Sequence, residues 1–81
     1  MKAKSIRLFV KPWCAWCQDA AEWLRARGIA YETLDVIAFP DAQREMRALS
    51  GQTLAPVIDV DGQILADFDT RQLAEFWQRF E

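Results

Sequence analysis

Residues 5–36, SIRLFVKPWCAWCQDAAEWLRARGIAYETLDV, decide the fold, because the hydrophobic period changes twice within them. From Ser5 to Val10 the apolar side chains alternate, with Ile6, Leu8 and Val10 on one face and Phe9 on the other. That is a buried strand, and Lys11 and Pro12 end it. From Cys14 to Arg27 the period becomes helical, with Cys17, Ala20 or Ala21, and Leu24 recurring on one side. Gly28 is the stop signal, and Arg25 and Arg27 place positive charge where the helix dipole favours it. Residues 29–36 return to a strand pattern. A strand, a helix and a strand in that order predict two parallel neighbours joined by a right-handed crossover.

Working outward, Asp41–Leu49 reads as a short helix with Ala42, Met46 and Leu49 inward and Gly51 as its cap. Val57–Val60 and Gln63–Ala66 flank Asp61-Gly62, a dipeptide suited to a type I′ hairpin in which both turn residues need positive φ. Leu73, Phe76, Trp77 and Phe80 then fall at i, i+3, i+4 and i+7, behind Asp69 as N-cap with Gln72 at N3. The expected architecture is α/β, β-α-β-α-β-β-α, with a four-stranded mixed sheet. At 81 residues the chain is expected to form one domain, 1–81.

Composition narrows the chemistry. An apolar fraction of 52%, with four Trp and five Phe, supplies a real core. The net charge of −2 gives no reason to invoke nucleic acid or an anionic membrane. No stretch is long and apolar enough for a signal-peptide core or a membrane span, so a reducing cytosol is the expected compartment. Residues 1–18 hold Lys2, Lys4, Arg7 and Lys11 and no acid, whereas the remainder is acidic. Histidine is absent, which removes Ser-His and Cys-His nucleophilic pairs. Two cysteines alone cannot complete a four-ligand zinc site, and a bridge between residues three apart would constrain little of the unfolded chain.

Lys11-Pro12-Trp13-Cys14-Ala15-Trp16-Cys17 therefore carries the chemistry, a C-x-x-C at a strand-to-helix junction. Free N–H groups and the positive dipole end at the first helical turn stabilise an anion, so Cys14 is expected to ionise more readily than a free cysteine, with Lys11 as a nearby cation. Cys17 lies one turn on, facing inward. Cys14 is read as the attacking thiol and Cys17 as the thiol that resolves the mixed disulfide. The plain alternative, two small buried hydrophobes, does not use that placement. Trp13, outside the helix, is a candidate substrate contact and shield for the sulfur, and Trp16 is a candidate substrate contact. Trp23 reads as core or half-buried wall.

At this point the sequence resembles the glutaredoxin branch of the thioredoxin-fold superfamily over nearly its whole length. K-P-W-C-A-W-C is similar to the family's K-x-x-C-P-Y-C, S-G-Q-T-L-A-P resembles S-G-x-T-T-V-P, and A-D-F-D-T aligns with the G-G-C-D-D-like motif before the last helix. The resemblance implies a cis Ala55-Pro56 bond beside Cys14, with the Ala55 backbone pairing to substrate as an added strand would. It also implies glutathione as reductant, not tightly bound, lying across Lys11, Trp16, Ala55, Phe68, Asp69 and Thr70. Lys11 would meet the glycyl carboxylate, and the start of the last helix the γ-glutamyl carboxylate. Asp69 can serve as N-cap with or without a ligand.

Departures qualify that picture. Ala15 stands for the proline between the cysteines, Leu54-Ala55 for Thr-Val, and Asp67 and Phe68 for Gly and Cys. An acid at Asp67 would oppose an anionic tripeptide, and Phe68 resembles redoxins that reduce ribonucleotide reductase and are recharged by thioredoxin reductase. Asp69-Thr70 points back to glutathione. The expected function is a monomeric, metal-free thiol-disulfide oxidoreductase acting on disulfide-containing or glutathionylated proteins, coupled to glutathione. The alternative is a dithiol donor recharged by thioredoxin reductase. A third reading is an iron-sulfur cluster held by a glutathione-bridged dimer.

Overall fold

The computed structural model describes residues 4–81, so Lys2 of the basic segment lies outside the described residues. The elements run β1 (Ile6–Val10), α1 (Ala15–Ala26), β2 (Glu32–Asp35), α2 (Pro40–Ser50), β3 (Val57–Val60), β4 (Gln63–Ala66) and α3 (Thr70–Trp77), closed by a 3-10 turn at Gln78–Phe80. The sheet order is β2-β1-β3-β4. β1 is parallel to β2 and antiparallel to β3, and β4 folds back antiparallel on β3. This is the thioredoxin-like α/β fold that the family resemblance implies, in the element order that the sequence predicts.

The alternation in β1 sorts the core into two layers. Leu8 goes under α1 and α3, joining Ala20, Leu24, Ile58, Val60, Phe68, Leu73, Phe76, Trp77 and Phe80. Phe9 faces the other way, against Val36, Val57 and the Ala42 and Met46 face of α2. Trp23 of α1 is half-buried and meets Trp77 of α3 edge-on, ring centroids 6.0 Å apart, which ties the two helices together. Burying roughly 25 cal/mol per Å² of apolar surface makes these two layers the main stabilising term.

Local signals act where the sequence places them. Asp61 and Gly62 have φ of 52° and 91°, the two positive angles of a type I′ turn. The Asp69 carboxylate accepts the Gln72 N–H at 2.9 Å while the Gln72 side chain accepts the Asp69 N–H at 3.0 Å, a complete capping box.

Several boundaries differ from expectation. The first strand begins at Ile6 rather than Ser5. Cys14 and Arg27 are caps of α1 rather than members of it. The second strand begins at Glu32 and ends at Asp35 rather than spanning 29–36. The Ile29 N–H still closes the end of α1 on the Leu24 carbonyl at 3.0 Å, and ladder pairing starts only at Arg7 with Glu32. α2 starts at Pro40, whose missing N–H costs nothing in a first turn. Leu49 is 37% exposed instead of inward, because α2 lies across the sheet against β2 and β4 and only its Ala42 and Met46 positions reach the second layer.

One polar cluster escapes sequence inspection. Asp59, buried in the middle of β3, accepts the Arg7 guanidinium at 2.6 Å and the Gly62 N–H at 2.8 Å, and Arg7 also pairs with Glu45 at 2.7 Å. A carboxylate inside a sheet needs such partners.

Candidate active site

Strand direction gathers the site. β1 ends, β3 begins and β4 ends at the same edge of the sheet, which brings Lys11, Ala55-Pro56 and Asp67 together beside the start of α1. The turn from β1 into α1 is closed by the Cys14 N–H donating to the Lys11 carbonyl at 3.1 Å. Cys14 then has extended φ and ψ of −86° and 113°, and its sulfur is the cap of α1, accepting the Cys17 N–H at 3.2 Å. A sulfur in that place faces free helical N–H groups.

Across from it, the Ala55-Pro56 bond is cis, as the family resemblance implies. The Cys14 thiol points at the Ala55 carbonyl, 3.8 Å away. Pro56 is buried and Ala55 half-buried. The carbonyl of Pro56 accepts the Asp67 N–H at 2.8 Å, which fixes the loop after β4 against the proline loop.

The two thiols occupy different surroundings. Cys14 is partly exposed, while Cys17 is 2% exposed beneath α1. Burial first, and the hydrogen bond with Cys14 second, push the Cys17 thiol up to about 12. Both are free thiols in this structure. A notch of about 210 Å³ opens beside Cys17, lined among others by Lys11, Gln18, Arg25 and Tyr31.

The other residues singled out from sequence fall as follows. Trp13 is 70% exposed and Trp16 47% exposed, on the turn and the first turn of α1 flanking Cys14. Leu54, named from the sequence only as a departure from the family motif, is exposed in the chain segment leading to Ala55. Asp69 and Thr70 form the start of α3, half-buried, with the Asp69 carboxylate engaged in the capping box. Phe68, expected as a ligand contact, is fully buried in the first layer with no exposed surface. Among the described residues, no group of three or more His, Cys, Asp or Glu is arranged around a metal position, and no helix is long and apolar enough to cross a membrane.

Known proteins agree with this geometry. A glutaredoxin family profile matches residues 6–65. An uncharacterised glutaredoxin-like 8.6 kDa protein of a rubredoxin operon in Clostridium pasteurianum is 32% identical over 68 residues, spanning 84% of this chain and 91% of that protein. The thioredoxin-like protein BC3987 superposes with a TM-score of 0.81 at 25% identity, covering 88% of this chain and 97% of that one. The glutaredoxin-like NrdH-redoxin from Escherichia coli shares the fold, with a TM-score of 0.77 at 21% identity over 89% and 93% of the two chains. With a C-x-x-C pair, one sulfur capping a helix and facing a cis-proline loop and the other buried behind it, the chain belongs to the glutaredoxin family and bears a thiol-disulfide oxidoreductase active site.

Proposed function

We propose that this protein reduces disulfides of other polypeptides and glutathione mixed disulfides in a reducing cytosol, with glutathione as its source of electrons. One relation carries the reading: the Cys14 sulfur lies 3.8 Å from the Ala55 carbonyl beside Pro56. A substrate strand paired with the Ala55 backbone would therefore deliver its own sulfur to Cys14. The Cys14 thiolate attacks that sulfur, the substrate S–S bond breaks, and the departing sulfur takes up a proton. Cys17 then gives up its proton and attacks Cys14, which releases the second substrate sulfur as a thiol and leaves a Cys14–Cys17 disulfide. Two electrons have passed to the substrate, and two thiols of glutathione restore the dithiol. Lys11 and the start of α3 at Asp69-Thr70 lie on either side of the proline loop, where they could receive the two carboxylates of glutathione.

Asp67 favours a second reading. Its exposed carboxylate stands next to the same loop and repels an anionic thiol, which suits recharging by a flavin-dependent thioredoxin reductase instead. The deciding experiment compares turnover of a glutathione mixed disulfide driven by glutathione with glutathione reductase against turnover driven by thioredoxin reductase alone. Sustained turnover in the first assay supports glutathione coupling; turnover only in the second replaces it.

A further inference from the structure

Lys11 follows β1, Pro56 precedes β3 and Asp67 follows β4, so the three lie in a row across the active edge of the sheet. The register makes this explicit, since Phe9 is opposite Val57 and Val57 opposite Ala66. With neighbouring strands spaced by roughly 4.8 Å, the backbone positions of Lys11 and Asp67 are about 10 Å apart, with the proline loop between them. Asp67 is mounted rigidly. Its φ of 51° is left-handed, a region glycine enters freely and other residues only at a cost, and its N–H is tied to the Pro56 carbonyl at 2.8 Å. Its side chain is exposed, and among the described residues neither Asp67 nor Lys11 forms an ion pair. Asp69, the neighbouring acid, is already held in the capping box.

We propose that Lys11 and Asp67 act as a fixed pair of opposite charges that selects polypeptide substrates carrying an acidic residue on one side of the reactive cysteine and a basic residue on the other. The proposal rests on the polypeptide-disulfide reading above and names its substrate class. In an extended strand, residues two before and two after the cysteine share its face and lie about 13 Å apart, within side-chain reach of charges separated by about 10 Å. For a strand that pairs with Ala55 in one fixed direction, swapping the two substrate charges turns both attractions into repulsions.

The test uses two peptides of identical composition, Ala-Lys-Ala-Cys-Ala-Glu-Ala and Ala-Glu-Ala-Cys-Ala-Lys-Ala, each blocked at both ends and joined through its cysteine to 2-mercaptoethanol. The fully reduced protein is mixed with each at low salt, and the second-order rate constant for release of 2-mercaptoethanol, the thiol that departs when Cys14 attacks the peptide sulfur, is measured. Both electrons come from Cys14 and Cys17, which end as their disulfide, while the peptide and 2-mercaptoethanol leave as thiols. One peptide is expected to react about tenfold faster than the other, with Asp67→Asn reducing that ratio at least threefold. Rates within twofold of each other in the parent protein, or a ratio that Asp67→Asn leaves unchanged, overturn the charge-pair proposal. If neither peptide nor the neutral 2-hydroxyethyl disulfide is reduced, the oxidoreductase reading itself fails and the proposal falls with it.

Discussion

Cys14 and Cys17 are one helical turn apart and differ mainly in solvent access, and that difference assigns their roles. The partly exposed sulfur can be reached by a substrate; the buried one lies behind it, within reach of Cys14. Cys14→Ser is expected to abolish reduction of every disulfide. Cys17→Ser should keep turnover of glutathionylated substrates while stalling as a stable mixed disulfide with polypeptide substrates, visible by mass spectrometry under non-reducing conditions. The burial of Cys17 also makes a pH prediction. Its pKa is about 12 in the fold against an ordinary 9.0, so between these values the unfolded chain releases this proton and the folded chain retains it. That contribution to stability is fully present below about pH 9 and is lost as the pH rises through about 12. Urea unfolding of the dithiol protein should therefore weaken more steeply from pH 9 upward than that of Cys17→Ala, which lacks the titrating group. Parallel slopes would contradict the burial argument.

At the scale of elements, α3 depends on the capping box that also shapes the edge of the site. Asp69→Ala removes an acceptor for the Gln72 N–H and should cost about 1 kcal/mol, a fall in Tm of roughly 4–8 °C for a domain of this size. Circular dichroism melting measures it directly, and Asp69→Asn, which can still cap, should recover most of the loss. This box was legible because its partners are three residues apart, as was the Asp61-Gly62 turn, whose chemistry lies within two residues. The late start of β2 was not, since it is set by where β1 offers a partner. Leu49 has the right spacing to face inward, yet the direction of α2 across the sheet leaves it half outside. The Arg7–Asp59 pair joins residues 52 apart, and no local pattern announces it. The C-x-x-C was plain from its seven-residue segment, and the proline loop opposite came through the family resemblance. The exposure of Leu54 has no periodicity to announce it, since it lies in a loop.

At the scale of the molecule, the large aromatic residues divide between holding the fold and facing the solvent at the active edge. Phe68 belongs to the loop after β4 and has no exposure, packed into the layer shared by α1, α3 and the sheet. Trp13 sits above the same edge, 70% exposed. Truncating the first leaves a cavity in a close-packed interior, at about 3–5 kcal/mol, a large part of the roughly 5–15 kcal/mol that stabilises a typical domain. Phe68→Ala should therefore lower Tm by more than about 12 °C. Truncating the second removes little buried surface, so Trp13→Ala should shift Tm by no more than about 2 °C. Its effect should appear instead in the reduction of polypeptide disulfides, slowed several-fold if the indole covers the substrate strand, since aromatic contacts of this kind concentrate binding energy. The two variants are best compared by melting each one and then assaying both below the lower Tm. A Trp13→Ala protein that melted as early as Phe68→Ala would place the indole in the core, against its observed exposure.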